Sequence, residues 1–335
     1  MHTLRTSMLH AALLAAGAFA PAALASPPDY FVGEQPSLGG NASEGVGIND
    51  FGLVSGFSSL ESGSVHAAAW LYGTPFDLGT LGGANSAVLW PSKDVFGAVS
   101  GVSQTATPDP LGESWSCSSF LPVTGDTCLG FVWLLGRLQP LHPFPGGNNS
   151  FATGTNDRLQ TVGWAETGVH DANCNLLGDS DPLLQFLPAT WNAGNGKPHA
   201  LQLEFGDDSG AATAINDRGQ VTGISGKCDQ AVGRYTATHM VIWNNGHPAD
   251  IGNLGGDAWN TPMAINRYGD VAGFANVAPG AALLEHAFFR GHAGGPPLDL
   301  GVLYPGDVHS QALGLNDRGQ VVGLSCTAHF AVCNG

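Results

Sequence analysis

Charge is scarce in this chain. Asp, Glu, Lys and Arg make up 11% of its 335 residues, and the basic share is 11 Lys and Arg against 27 Asp and Glu, a formal net charge of −16. So few cations exclude a nucleic-acid partner, because a field of this sign repels phosphate backbones and anionic lipid heads, whereas cations and neutral polar ligands remain compatible with it. Long apolar runs are missing too: after the first 25 residues no segment approaches the eighteen apolar residues that a membrane-spanning helix requires. No long stretch carries the 3.6-residue period of an amphipathic helix, which excludes a helical fold. Gly-x-Ser-x-Gly, His-Glu-x-x-His and Walker phrases are absent, and with them the enzymes that depend on those local signatures.

Glycine and proline are abundant, 49 and 21 residues. Short runs such as Gln220-Val221-Thr222-Gly223 and His239-Met240-Val241-Ile242-Trp243 alternate with Gly, Asn, Asp and Pro clusters, the pattern of short antiparallel strands. The expected class is all-β. The start of the chain reads as an export signal: Arg5, an apolar stretch from Leu9 to Ala20, then Ala23-Leu24-Ala25 with small residues where a signal peptidase cuts. The expectation is a signal peptide over 1–25 and one domain over 26–335, secreted or periplasmic. Loss of the signal removes Arg5 alone from the charge count, leaving 10 basic against 27 acidic residues and a net −17.

One phrase recurs along the chain, most clearly at 211–223 (AATAINDRGQVTG) and 312–323 (ALGLNDRGQVVG). Its Asn falls at 49, 156, 216, 266 and 316, and the interval of 107 between the first two is twice a normal period. A degraded sixth unit therefore lies between them, where Gly97-Ala98-Val99-Ser100-Gly101 matches Gly52-Leu53-Val54-Ser55-Gly56 and Lys93-Asp94 replaces the Ile-Asn pair. Each unit divides into four strand-sized pieces, the third ending in Trp70, Trp133, Trp191, Trp243 or Phe289 and the fourth carrying Asp-Leu-Gly or a relative. Four strands per repeat is the size of a propeller blade, so the sequence predicts a six-bladed β-propeller of four-stranded antiparallel blades. The last unit stops before its Trp strand, while Tyr30-Phe31-Val32 stands alone ahead of the first unit. An N-terminal strand closing the last blade and a shortened C-terminus are both open readings of this.

The INDRGQVVG-type phrase, the His-Ala-Phe-type strand at Glu285-His286-Ala287-Phe288-Phe289 (weaker at His66-Ala67-Ala68-Ala69-Trp70) and the DLGTLGG phrase at 77–83 together resemble the HAF family of extracellular bacterial repeat proteins. The similarity spans nearly the whole chain beyond the signal, with motifs that are specific as a set and weak singly. The second and third units depart most, through Lys93-Asp94 and through Leu159 where the turn glycine is expected. The resemblance implies a secreted, propeller-like protein and brings no catalytic residues with it.

Most repeated residues have structural explanations. The glycines of the phrase (Gly52, Gly219, Gly269, Gly319) supply the positive φ of a hairpin turn that the Asn and Asp side chains cap. Arg158, Arg218, Arg267 and Arg318 read as ion-paired turn residues ahead of an anion-binding crown, and the Trp and Phe positions as wedges between blades. Six cysteines in an exported chain, none in Cys-x-x-Cys spacing, point to disulfides. Cys117 with Cys128 and Cys326 with Cys333 each fall between strands two and three of one unit; Cys174 and Cys228 pair by elimination.

Recognition is expected on the rim opposite the Asn-Asp turns, where the loops from Ser103 to Asp126 and Ala165 to Leu187 are longest. A recurring polar step before each first strand supplies candidate ligand contacts: Asn41, Asn85, Asn149, Asp207, Asp208, Asp257 and Asp307, with crossover-turn capping as the competing role. Asp171, Asn173, Asn175, Asp179 and Asp181 offer alternating oxygen ligands for calcium, although Leu176 and Pro182 stand where a calcium loop of the EF type needs Gly and Glu. The leading expectation is a secreted or cell-surface non-catalytic binding module for a glycan or surface protein, with calcium as the candidate ion. Its competitor is a propeller hydrolase of glycosides or esters, with carboxylates such as Asp207, Asp208, Asp257 and Asp307 at the axial mouth.

Overall fold

A computed structural model describes residues 33–334, apart from 92–93, 114–116, 118–119, 172–173, 175–183, 193–195, 229–236 and 280–283. The expected signal peptide over 1–25 and Tyr30-Phe31-Val32 lie outside the described residues, as do all the calcium candidates except Asp171. Residues from Gln35 onward form one compact unit.

That unit is a six-bladed propeller of antiparallel sheets. Blade one is β1 (Gly39–Ile48), β2 (Leu53–Leu60), β3 (Val65–Leu71) and β4 (Thr74–Gly79); blade two is β5 (Gly82–Ala87), β6 (Val99–Pro108), β7 (Asp126–Leu134) and β8 (Arg137–Leu141). Blade three comprises β9 (Ser150–Thr155), β10 (Gln160–His170), β11 (Leu184–Asn192) and β12 (Pro198–Ala200). Blade four holds β13 (Ser209–Ile215), β14 (Val221–Gly226), β15 (His239–Asn244) and β16 (His247–Asp250). Blade five holds β17 (Thr261–Ile265), β18 (Val271–Asn276), β19 (Glu285–Arg290) and β20 (Leu298–Gly301), and blade six β21 (Asp307–Leu315), β22 (Val321–Thr327) and β23 (Cys333–Asn334). Among the described residues blade six thus has three strands, with β23 covering β22 only at Ser325 and Cys326. The two long loops are shorter than the sequence suggests, because β6 runs on to Pro108 and β10 to His170.

Each recurring residue has a definite task. In the turn between strands one and two, Asn216 Oδ1 accepts hydrogen bonds from the backbone N–H of Arg218 and Gln220 while Gly219 turns the chain at φ +79°. In the third unit Leu159 occupies the glycine place and is held at φ +57°. Three residues before the Asn the inner strand bulges: Val46, Thr153, Thr213, Met263 and Leu313 are each skipped in the pairing. A bulge bends the strand toward its partner, and that explains the last glycine of the phrase. A Cβ on Gly56, Gly101, Gly163, Gly223, Gly273 or Gly323 would overlap a carbonyl oxygen of the first strand.

Blades are joined by buried side chains of the third strands and by polar stitches. Trp70, Trp191 and Trp243 are fully buried, and their indole N–H groups donate to the carbonyls of Pro36, His142 and Gln202; for Trp191 and Trp243 this carbonyl follows the fourth strand of the preceding blade. Removing an indole of this size from water contributes on the order of 4 kcal/mol. Between blades two and three Phe151 stacks on Trp164 at 4.2 Å, with Trp90 edge-on to both.

All three expected cysteine pairs are bonded: Cys117–Cys128, Cys174–Cys228 and Cys326–Cys333. Their places refine the sequence reading, since Cys128 lies on β7, Cys326 on β22 and Cys333 on β23. No helix among the described residues is long and apolar enough to cross a membrane.

Candidate functional site: the axial cavity

Six turns of the same kind, one per blade, converge on the propeller axis and enclose a cavity of about 330 Å³. Its wall has three layers. The base, at the residue before each Asn, is Ile48, Thr155, Ile215, Ile265 and Leu315, apolar except for the Thr155 hydroxyl, which is bonded to Thr161. Below it a space of about 20 Å³, sharing Thr155, Ile215 and Ile265 with the cavity, has room for little more than one water. The middle layer is the Asn ring, and the mouth carries Asp50, Asp157, Asp217 and Asp317, with Val95 and Arg267 at the equivalent places of blades two and five.

The Asn ring is continuous over four of its junctions. Asn49 Nδ2 donates to the carbonyl of Asp94, Asn156 to that of Asn216, Asn216 to that of Asn266 and Asn266 to that of Asn316, at 2.9–3.2 Å. Each amide caps its own turn with Oδ1 and grips the next blade with Nδ2. A second circuit runs above it: Asp157, Asp217 and Asp317 accept the backbone N–H of Val95, Asp157 and Arg267 at 2.8–3.0 Å. These circuits engage four of the Asn amides and the N–H groups of Val95, Asp157 and Arg267, and leave carboxylate oxygens over the cavity. Arg267 is spent on Asp317, at 3.5 Å, and on the Tyr268 hydroxyl. The mouth is therefore acceptor-rich and negative.

Asp94 breaks the pattern. Its Oδ1 accepts the N–H of Ala98 as the Asn of other blades caps its turn, but Oδ2 is buried without a hydrogen-bond partner where those residues carry a donating amide. Burial pushes its pKa above the ordinary carboxylate range, and the neighbouring Asp157 charge adds to the effect against three backbone hydrogen bonds.

The polar-step residues lie elsewhere, and none lines this cavity. Asn85 and Asn149 are buried, with Oδ1 accepting the N–H of Val65 and Cys128 on the preceding blade. Their neighbours Ser86 and Ser150 each accept a backbone N–H of that blade's third strand and donate to the carbonyls of Gly79 and Leu141. Asp207 accepts from Ser225 Oγ at 2.6 Å and from His239 Nδ1, Asp307 accepts from Ser325 Oγ, and Asp208 accepts the Cys228 N–H. Asn41 and Asp257 are exposed. Asn85 and Asn149 thus stitch their blade to the preceding one, while Asp207, Asp208 and Asp307 bond within their own blade. Among the described residues no group of three or more His, Cys, Asp and Glu is arranged to hold a metal ion.

The cavity escaped the sequence reading because an Asn in a turn explains itself as a cap; only ring closure brings the copies together. No family model and no curated protein matches the chain.

Proposed function

We propose that the chain is an exported, non-catalytic binding module whose axial cavity takes a small, positively charged polar ligand. The observation that carries this reading is the acceptor-rich mouth: four carboxylates above an Asn ring whose donors are already engaged, over a closed, largely apolar base. Such a wall favours a ligand that brings both the donors and the positive charge, with a short apolar stem to rest on Ile215, Ile265 and Leu315. The three disulfides are compatible with an extracellular or periplasmic address, and the repeat phrases support a HAF-type affiliation.

Isothermal titration of the chain with putrescine at low and high salt tests the proposal, with glycan and calcium additions as parallel arms. The expectation is salt-sensitive diamine binding that falls at least tenfold in the D157N/D217N double variant. Each replacement keeps the Oδ1 acceptor and so spares the ring, while removing charge. No diamine binding, or binding indifferent to both changes, sinks the cavity reading. Turnover of a generic glycoside or ester that survives purification favours the hydrolase instead.

A further inference from the structure

On the opposite rim, away from the axial cavity, three carboxylates are buried together. Asp109 and Glu113 belong to the segment that follows β6 in blade two; Glu166 is on β10 of blade three. All three are buried, Glu113 and Glu166 to within 3% of completely. Asn149 joins them: its Nδ2 donates to Asp109 Oδ2 at 2.7 Å and to Glu166 Oε1 at 2.9 Å, with the Glu113 carbonyl at 3.4 Å. Glu166 Oε2 accepts the N–H groups of Asn148 and Asn149, and Glu113 Oε1 accepts that of Leu184 at the start of β11. Glu113 Oε2 is buried with no hydrogen-bond partner.

We propose that Asp109, Glu113 and Glu166 form a proton-operated clasp, which fastens the segment Asp109–Glu113 of blade two to blade three when protonated and loosens it when all three carboxylates are charged. Two carboxylates share the Asn149 amide and a third, Glu113, is buried and coupled by charge to both, and anions gathered in this way resist ionising together away from water. A proton on Glu113 Oε2 turns the one oxygen without a partner into a donor and removes a charge that Asp109 and Glu166 both feel. No cation offsets the cluster among the described residues that pack on it. On blade two the other titratable neighbour is Asp126, opposite Pro108; on β10 it is His170, opposite Leu184 and exposed; Asn149, just before β9, and the Leu184 N–H of β11 bring no charge. In the equivalent place on blade two stands Gln104, a neutral residue that accepts from Asn85 Nδ2 and itself donates to the Pro122 carbonyl. Blade three has exchanged that settled amide for an acid.

The pKa directions agree. Burial raises Glu113 to about 7, with Asp109 adding to it, and raises Glu166 to about 8, with the Glu113 charge adding to it. Because both are higher in the closed segment than in an opened one, closure is strongest below about pH 4.5, weakens as pH rises, and stops weakening above about 8.

Hydrogen exchange read by mass spectrometry on peptides covering 109–113 and 148–151, corrected for intrinsic rates, tests this at pH 5.5 and 8.5. Protection there is expected to fall at least tenfold at the higher pH while β13–β15 changes little, and E113Q and E166Q should flatten the dependence. Equal protection at both pH values overturns the clasp, as does pH dependence that persists in the Gln variants. If those variants do not fold, carboxyl carbon NMR of the native chain decides: two Glu signals titrating between about pH 6 and 9 support the proposal, and all Glu signals titrating near 4.5 refute it.

Discussion

At the scale of the residue, this protein uses one side chain for two connections, and Asp94 shows what happens when the chemistry is altered. Asn works in the ring because an amide accepts on one atom and donates on the other. Asp94 keeps the acceptor and loses the donor, leaving Oδ2 buried and unpaired at neutral pH. Replacing it by Asn should restore the donor toward blade three and stabilise the chain by about 1–3 kcal/mol near pH 8, the cost of an unsatisfied buried polar group. The sign with pH follows from the raised pKa: the native acid is at its best below the unfolded-state pKa of about 4, where it is protonated in both states, and its cost grows as pH rises toward the folded value. Urea unfolding of D94N and native protein at pH 4 and pH 8 should therefore give a small difference at the first and a larger gain at the second; a destabilised D94N at pH 8 contradicts this account. The residue scale also limits what a sequence discloses. Lys93-Asp94 is legible as a degraded Ile-Asn pair, but nothing local says that the Asn it replaces was donating to a neighbour 45–60 positions away.

At the scale of the element, the repeating unit is a hairpin with a bulge, and its two kinds of glycine separate two physical demands. Gly246 sits in the β15–β16 turn at φ +82° with open space around the place of a Cβ, so Gly246→Ala should cost about 1 kcal/mol through backbone conformation alone. Gly223 is on β14 where the bulge brings the Ala211 carbonyl against its Cα, and Gly223→Ala should cost about 2–3 kcal/mol or more, because the bulged strand must move. Thermal unfolding of the two variants orders them, and equal losses would remove the bulge from the explanation. Strand count, blade count and turn position were legible because Gly, Asn and Trp recur with a fixed period. The stitches were less so: Ser86 and Ser150 stood out as a polar step, yet whether such residues face a ligand or a neighbouring strand depends on the side to which the next blade packs.

At the scale of the whole molecule, six similar blades must be held in a ring by junctions of unequal kind. Two disulfides are local, closing 11 residues within blade two and 7 within blade six, whereas Cys174–Cys228 spans 54 residues and ties blade three to blade four. The loop-entropy estimate rises with the logarithm of that span, giving about 4 kcal/mol for the longest closure and about 2–3 kcal/mol for the short ones. The difference in consequence is larger than these numbers suggest. Losing a short bridge frees the end of one strand pair, but losing Cys174–Cys228 leaves the interface of blades three and four to packing, on the side where Glu113 and Glu166 already strain blade three at neutral pH. Guanidinium unfolding of C174S/C228S should accordingly show a lower midpoint than C326S/C333S, and its loss should be greater at pH 8 than at pH 5, since charge on the Glu pair and the missing bridge weaken the same blade. Similar midpoints for the two double variants at pH 8 would mean that the ring is held by its buried tryptophans and Asn circuit alone, with the covalent tie redundant.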